Sequence, residues 1–442
     1  MQSKEKFRNL ISCTISCAAT VALAIATVFA LMVVLTPSAL AQTFKVLYNF
    51  TGRGDGGYPY AGLTMDRAGN LYGTTPAGGK VGGICSLYYG AGCGTVFKLT
   101  NKNSQWVFST LYIFQGGLDG VSPNARVIFG PDGALYGTTT NGGEIGCPQR
   151  GCGTVFQLKP PARACNTALC PWTETVLHRF NYSGDGYWPG NGSLLIAPSG
   201  VIYGTVTSGG AYGAGAVFSL TPSQGGWTYS VIYSFTGGAD GAGPSAGVIF
   251  DKAGNLYGTT PYGGSDGYGT IYELMPAGSG WHEKVLYSFT NSRQDWYGIY
   301  PVGGLIFDGS GNLYGTSGWS YMDFTGGIVF ELTPSNGSWT IANAVDVSGA
   351  PHGFAYPPVD SLAMDAADNL YGTVPITNAY SSPWGEIFKV SPDWTVTDLY
   401  SSWGQEGAYA YGGPILDANG NLYGTNAGAG QYNAGIVWEI TP

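Results

Sequence analysis

The string Leu-Tyr-Gly-Thr, or a near variant, occurs seven times, with its tyrosine at Tyr72, Tyr136, Tyr203, Tyr257, Tyr314, Tyr371 and Tyr423. The intervals are 64, 67, 54, 57, 57 and 52 residues, periods that belong to solenoids, propellers and repeat arrays. Read in full, one unit holds four short runs rich in β-branched and aromatic residues, bounded by Gly, Pro, Asp or Asn, which is how strands are written. In the fourth copy these are Ala246–Asp251 (run a), Asn255–Thr260 (b), Gly269–Met275 (c) and Trp281–Phe289 (d).

The termini choose between a stack and a ring. The last unit supplies a (Pro414–Asp417), b around Tyr423 and c (Gly435–Thr441), then reaches Pro442 without a d run. A matching run stands at the other end, where Phe44–Phe50 reads like Lys284–Phe289. The expected fold is therefore all-β: a seven-bladed β-propeller, four antiparallel strands per blade, closed by the N-terminal strand joining the last blade. Closure of this kind leaves no open sheet edge at the seam. With d outermost and a nearest the axis, the d-to-a and b-to-c loops share one face, called here the loop face.

Residues 1–41 read as a signal peptide. Lys4, Lys6 and Arg8 precede an uncharged apolar stretch, Ile11–Leu35, followed by Pro37 and Ala39-Leu40-Ala41, a small-residue cleavage site before Gln42. Residues 42–442 then form a single propeller domain, secreted or periplasmic; an uncleaved N-terminal anchor is the alternative. The formal charge of −9 becomes −11 after loss of three basic residues and Glu5. So acidic a chain offers no basic surface to a phosphate backbone, so nucleic acid is excluded as a partner. A monomer without membrane contact is expected after cleavage. Charged residues at 10% beside 14% aromatics exclude a solvated disordered chain. In the exported part the cysteines fall in close pairs, Cys85 with Cys93, Cys147 with Cys152 and Cys165 with Cys170. An even, paired set in an oxidising compartment predicts three local disulfides, with thiols or metal ligation as the alternative.

These units resemble the GloVer repeat family of exported bacterial proteins. The resemblance is carried by the Asn/Ala-Leu-Tyr-Gly-Thr-Thr cores, the Gly-Gly that follows, the Gly-Thr-Val-Phe-x-Leu runs and the Tyr-x-Phe-x-Gly-Gly-x-Asp-Gly segments between blades. It spans Thr43 to Pro442, implies a propeller-like fold and brings no assigned activity.

Candidate chemistry sits in the loops. Trp106, Trp172, Trp227, Trp281, Trp339 and Trp394 recur once per unit at the start of d, which marks them as framework. Trp188, Trp296, Trp319, Trp384 and Trp403 do not, and all five fall in loop-face segments. An acidic ring accompanies them: Asp55, Asp119, Asp185 and Asp240 precede a Gly in d-to-a loops, with Asp295, Glu406 and His352 in the corresponding places. Aromatic rings beside carboxylate acceptors suit a sugar, whose C–H face stacks while its hydroxyls donate. Trp188, Trp296, Trp403, Asp185, Asp295, Glu406 and His352 are accordingly the candidate ligand contacts. Two plainer readings stand beside this: Asp-Gly is ordinary turn chemistry, and large rings can simply cover loops. Ca²⁺ is the one metal worth weighing, yet it wants six to eight oxygens and no single loop supplies them; neither a metal site nor a cofactor is expected. His178 and His282 read as structural. No Gly-x-Ser-x-Gly elbow leads from a strand into a helix, and no Gly-rich segment ends in Gly-Lys-Ser/Thr, so no catalytic residue is assigned. The leading expectation is an exported, non-catalytic propeller that binds a glycan or a surface partner. The rival is a polysaccharide-acting hydrolase or lyase with paired carboxylates in the propeller mouth.

Overall fold

Seven antiparallel sheets account for the seven repeats in a computed structural model that describes residues 42–441 except 88–91, 104, 144–146, 148–150, 162–171, 183, 279, 291–297, 319–326, 336, 348–360, 376–383 and 403–405. The proposed signal peptide lies outside the described residues. Phe44–Thr441 form one compact unit. Blade 1 consists of Thr64–Met65 (a), Leu71–Thr75 (b), Thr95–Lys102 (c) and Gln105–Ile113 (d), hydrogen-bonded in that order. Blades 2 to 6 repeat it, with one addition in blade 3, where Tyr187–Pro189 pairs with strand b as a fifth strand. Blade 7 takes a, b and c from Ile415–Leu416, Leu422–Asn426 and Ile436–Thr441, and its outer strand is Thr43–Asn49. The closed ring expected from the termini is what forms.

The closing strand is held as its six counterparts are. In each blade the residue after strand d donates its N–H to the glycine carbonyl before strand c: Phe114 to Gly94, Phe180 to Gly153, Phe235 to Gly215, Phe289 to Gly269, Val347 to Gly327 and Ser402 to Gly385. At the seam Phe50 donates to Gly435 at 3.0 Å, and its ring is fully buried against Phe97 of blade 1.

Each repeated residue has an identifiable job. In the turn between a and b, Asp66 accepts from the Ala68 and Asn70 amides through one carboxylate oxygen, and from Asn70 Nδ2 and the Tyr72 hydroxyl through the other. The same knot recurs at Asp251, Asp308, Asp365 and Asp417. Such bonds hold the Asp66 and Asp365 carboxyls below their ordinary value against the opposing effect of burial. The motif tyrosine sits opposite the polar residue of strand c, and its hydroxyl donates to Glu273, Glu331 and Glu439 at 2.7, 2.9 and 2.9 Å. That explains the one polar position in an otherwise apolar run.

A glycine inside a strand marks a place where a neighbouring backbone can approach closely, and the one after the motif tyrosine uses that room differently. It admits a ring instead. A Cβ on Gly73 would lie 2.5 Å from Phe97 Cζ, and the same clash arises at Gly137, Gly204, Gly258, Gly315, Gly372 and Gly424 with the aromatic of strand c. The ring lies across the glycine because the two residues are direct cross-strand partners, as Gly73 and Phe97 are, and glycine leaves that face open. Between blades, the motif tyrosine meets the framework tryptophan of the next blade: Tyr72 with Trp172, Tyr136 with Trp227, Tyr203 with Trp281, Tyr257 with Trp339, Tyr314 with Trp394, and Tyr423 with Trp106 across the seam, at centroid distances of 6.0 to 6.4 Å. The first motif threonine adds a hydrogen bond to the next blade, from Thr74 to Ala125 O, Thr205 to Ala246 O, Thr259 to Gly303 O, Thr373 to Gly412 O and Thr425 to Ala61 O. Two of the expected disulfides are formed, Cys85–Cys93 and Cys147–Cys152; Cys165 and Cys170 lie outside the described residues.

Candidate functional site

The d-to-a and b-to-c loops do share a face. Residues of one pair with residues of the other by single β-bridges: Gly57 with Ala77, Val121 with Asn141, Ala242 with Tyr262, Ile299 with Gly318 and Ala408 with Gly428. The residue that follows in the d-to-a loop hooks onto the preceding blade. Its amide donates to a carbonyl just before strand c: Tyr58 to Ala434, Ser122 to Cys93, Trp188 to Cys152, Gly243 to Ala214, Tyr300 to Tyr268 and Tyr409 to Trp384, at 2.7 to 3.0 Å. All six hooks have left-handed backbone, with φ of 58°, 57°, 56°, 68°, 56° and 61°. Five precede a proline, and those prolines pack against the glycine before strand c of the preceding blade, Pro59 against Gly435 for example.

This conformation suits glycine and penalises everything else. The left-handed region costs a residue with a Cβ about 1–2 kcal/mol, and a following proline drives its predecessor towards extended backbone. Gly243 shows that the hook tolerates the residue free of that cost. Tyr58, Trp188, Tyr300 and Tyr409 bear it nonetheless. Where the hook is Gly243, the missing ring is supplied from the partner loop: a Cβ on Gly243 would lie 3.3 Å from the ring of Tyr262, while Tyr409 covers Gly428 in the corresponding arrangement of blade 7.

Trp188 is thus not a departure from the repeat, as its sequence context suggests; it occupies the hook position that Tyr58, Ser122, Gly243, Tyr300 and Tyr409 occupy elsewhere. Proline spacing alone could have found five of the six, since Tyr58-Pro59, Ser122-Pro123, Trp188-Pro189, Gly243-Pro244 and Tyr300-Pro301 stand at equivalent points. Trp384 is half exposed beside the Tyr409 hook. Trp296, Trp319, Trp403, Asp295 and His352 lie outside the described residues.

The acidic ring turns out to latch its own loops. Asp55 accepts from the Tyr48 hydroxyl at 3.0 Å and the Thr51 amide at 2.8 Å; Asp119 from Tyr112 and Gln115; Asp240 from Tyr233 and Thr236. Asp185 repeats the latch with His178 Nε2 at 3.1 Å and Asn181 Nδ2 at 2.6 Å, and Glu406 accepts from Tyr400. His178 therefore stands in for the strand-d tyrosine, stacked on Tyr229 at 4.0 Å, and burial holds its imidazole below the ordinary value while Asp185 opposes. Two latches face a second carboxylate on the outer strand. Burial first, then the charge of Asp119, raises Glu174 to about 7; burial and Asp240 do the same to Glu283. One oxygen each of Asp119, Glu174 and Glu283 is buried without a hydrogen-bond partner among the described residues. Among the described residues no group of three or more His, Cys, Asp or Glu side chains is placed to hold a metal ion.

Among the described residues two spaces of very different size share Asn191. The loops before strand a approach backbone to backbone, with Gly192 N donating to Ser245 O at 3.0 Å, and a cavity lined by residues such as Asn191, Ser193, Gly247 and Ser361 measures only about 30 Å³. A cleft of about 440 Å³ opens on the loop face instead. Tyr58 and Tyr60 line it with Pro76 and Ala77 of blade 1, facing Ser122 and Asn124 of blade 2 and Asn191 of blade 3. Tyr58 and Tyr60 are 39% and 40% exposed, so their rings are presented to solvent. Tyr60 also meets Tyr411 at 4.9 Å. The sequence reading missed Tyr58 and Tyr60 because it sought rings around the non-periodic tryptophans, and none stands in that loop.

The family profile described as the Gloeobacter/Verrucomicrobia repeat matches residues 27–192, 86–319, 153–374 and 293–442. No curated protein matches the chain. Among solved structures, an ulvan lyase of a polysaccharide lyase family, determined with a saccharide bound, superposes with a TM-score of 0.51 at 10% identity, covering 89% of this chain and 94% of that one. A gluconolactonase from Xanthomonas campestris gives 0.41 at 11% identity with 92% of both chains covered. A putative 6-phosphogluconolactonase from Bacteroides uniformis gives 0.45 at 15%, covering 76% of this chain and 82% of that one. At these identities the likeness is one of fold.

Proposed function

This chain belongs to the Gloeobacter/Verrucomicrobia repeat family, and from that premise we propose that it is an exported, non-catalytic propeller that binds a glycan on its loop face. One observation carries the reading: bulky aromatic side chains are kept at hook positions whose backbone favours glycine. A side chain retained against a backbone penalty, and left partly in solvent, has its use outside the fold. Planar rings with amide and hydroxyl neighbours suit a pyranose, whose axial C–H face is apolar and whose rim is polar. Trp188 is one such ring; Trp296, Trp403, Asp295 and His352 are proposed contacts on the same face. Asp185 and Glu406 would then orient ligand hydroxyls with whatever acceptor capacity their latches leave. Two disulfides suit an oxidising, extracytoplasmic compartment, and no helix among the described residues is long and apolar enough to cross a membrane.

The hydrolase or lyase reading needs a pair of carboxylates open to substrate, whereas Asp55, Asp119, Asp185, Asp240 and Glu406 all accept hydrogen bonds from their own segments. A glycan array separates the two when the bound sugars are also assayed for new reducing ends or unsaturated products. Binding without product, weakened in Trp188→Asn, Trp296→Ala and Trp403→Ala, is the expected result. Turnover abolished by changing one or two carboxylates would replace it with the enzyme.

A further inference from the structure

We propose that the ligand is a neutral, linear oligosaccharide, and that it lies along an aromatic strip made where blades 7 and 1 meet, with one end in the adjoining cleft. The inference rests on the glycan reading above and gives it a place and a charge class. The strip begins with an asymmetry. Two residues beyond the hook, blades 2, 4 and 5 carry Asn124, Ser245 and Val302, whereas blades 7 and 1 carry Tyr411 and Tyr60. A residue that served only the ring's packing would repeat with the blade, as the motif tyrosines and framework tryptophans do. These two tyrosines occur in consecutive blades, and there the rings meet: Tyr409 stacks with Tyr411 at 6.3 Å, and Tyr411 meets Tyr60 at 4.9 Å.

The run Tyr409–Tyr411–Tyr60 leads to Tyr58 and the cleft of about 440 Å³. Its far wall is polar, with the amides of Asn124 and Asn191 and the hydroxyl of Ser122. Aromatic faces in a row followed by amide donors and acceptors are the two halves of saccharide recognition: stacking along successive sugar rings, then readout of the hydroxyls of a terminal one. Charge selects within that class. No described lining residue of the cleft is charged, the chain carries −9, and Asp55 and Glu406 lie in the two loops that bear the strip. A uronate or sulfate chain would enter the field of a net negative protein, in which Arg53, in the loop of Asp55, and Arg126, whose guanidinium donates to Gly413 O at 3.2 Å, are the cations close to the strip.

The test uses the folded, full propeller and five defined probes: cellohexaose, xylohexaose, mannohexaose and laminarihexaose, with an anionic hexagalacturonate for comparison. Titration calorimetry measures affinity, and circular dichroism with thermal melting checks each variant. At least one neutral hexaose should bind and hexagalacturonate should bind more weakly. Tyr60→Ala and Tyr411→Ala should each weaken that neutral ligand about tenfold or more, as expected when a stacking ring and its apolar contact are lost. Tyr60→Phe should retain affinity, and Ser245→Ala, at the same place in blade 4, should leave it unchanged. Were Tyr60→Ala and Tyr411→Ala to bind as the parent does, the strip would be wrong while the glycan reading stood. Tighter binding of hexagalacturonate than of every neutral probe would overturn the charge class. Failure of the parent to bind any of the five would remove the strip together with the glycan reading.

Discussion

The seam between blades and the loop face repeat different things. At the seam the residues themselves repeat: a motif tyrosine meets a framework tryptophan in six successive pairs, and a glycine lies under an aromatic ring in all seven blades. On the loop face the backbone repeats and the residues do not. Six hooks share one hydrogen bond and one left-handed conformation, yet they are Tyr, Ser, Trp, Gly, Tyr and Tyr. Side chains between the blades are constrained by the partners they meet; those at the hooks vary although the backbone that bears them does not. The contrast teaches where to look for function in a repeat protein: at positions where geometry is periodic and chemistry is not.

The contrast can be broken first at its strongest point. Deleting residues 42–50 should strip blade 7 of its outer strand, expose the edge of Ile436–Thr441 and remove the buried Phe50 ring. The expected outcome in thermal melting is a large fall in midpoint or aggregation on heating; an unchanged transition would mean that closure contributes nothing. Next comes the seam: Trp281→Ala should cost about 3 kcal/mol, the scale for emptying a large aromatic site, read as a lower denaturant midpoint. Gly258→Ala follows, because its Cβ would fall 2.3 Å from Tyr272 Oη and 2.6 Å from Cζ. Overpacking of this kind costs about 1–3 kcal/mol, and the midpoint should fall accordingly.

A smaller effect separates latch from ligand site. Glu174 and Glu283 have carboxyls raised from an ordinary 4.5 to about 7, so the folded protein holds protons there that the unfolded chain releases. Their stabilising protonation is complete below about pH 4.5 and is lost as pH rises through 7. Stability should therefore decline across that window, and Glu283→Gln should flatten the decline without altering binding on the loop face. An unflattened profile in a melting series over pH would show that burial and Asp240 do not raise Glu283 in the folded protein.

The ring was legible because periodicity and the placement of Phe44–Phe50 need no knowledge of contacts. The knots at Asp66 and Asp417 were legible too, since Asp-x-x-Gly-Asn is turn chemistry whatever surrounds it. Two things were hidden. The partner of each motif glycine depends on which strand-c ring leans over it, and sequence spacing says nothing about lean. The hooks were hidden more deeply: Tyr58-Pro59 and Trp188-Pro189 read locally as extended dipeptides, and only the hydrogen bond to the preceding blade and the fit of proline against glycine reverse the sign of φ. The latches of Asp55, Asp119, Asp185 and Asp240 were hidden because their tyrosine and histidine partners, seven residues earlier, belong to the preceding strand.

The central claim is that hook aromatics serve a ligand and not the fold. Its most direct test is the melting temperature of a quadruple variant, Tyr58→Asn, Trp188→Asn, Tyr300→Asn and Tyr409→Asn. Asparagine accepts left-handed backbone far better than an aromatic residue does, so relief of strain should offset the loss of rings that are exposed at Tyr58 and Tyr409 and partly buried at Trp188 and Tyr300. The account predicts a melting temperature close to the parent's together with loss of glycan binding. A fall as large as that of Trp281→Ala would show that the hook rings hold the blades together, and would contradict it.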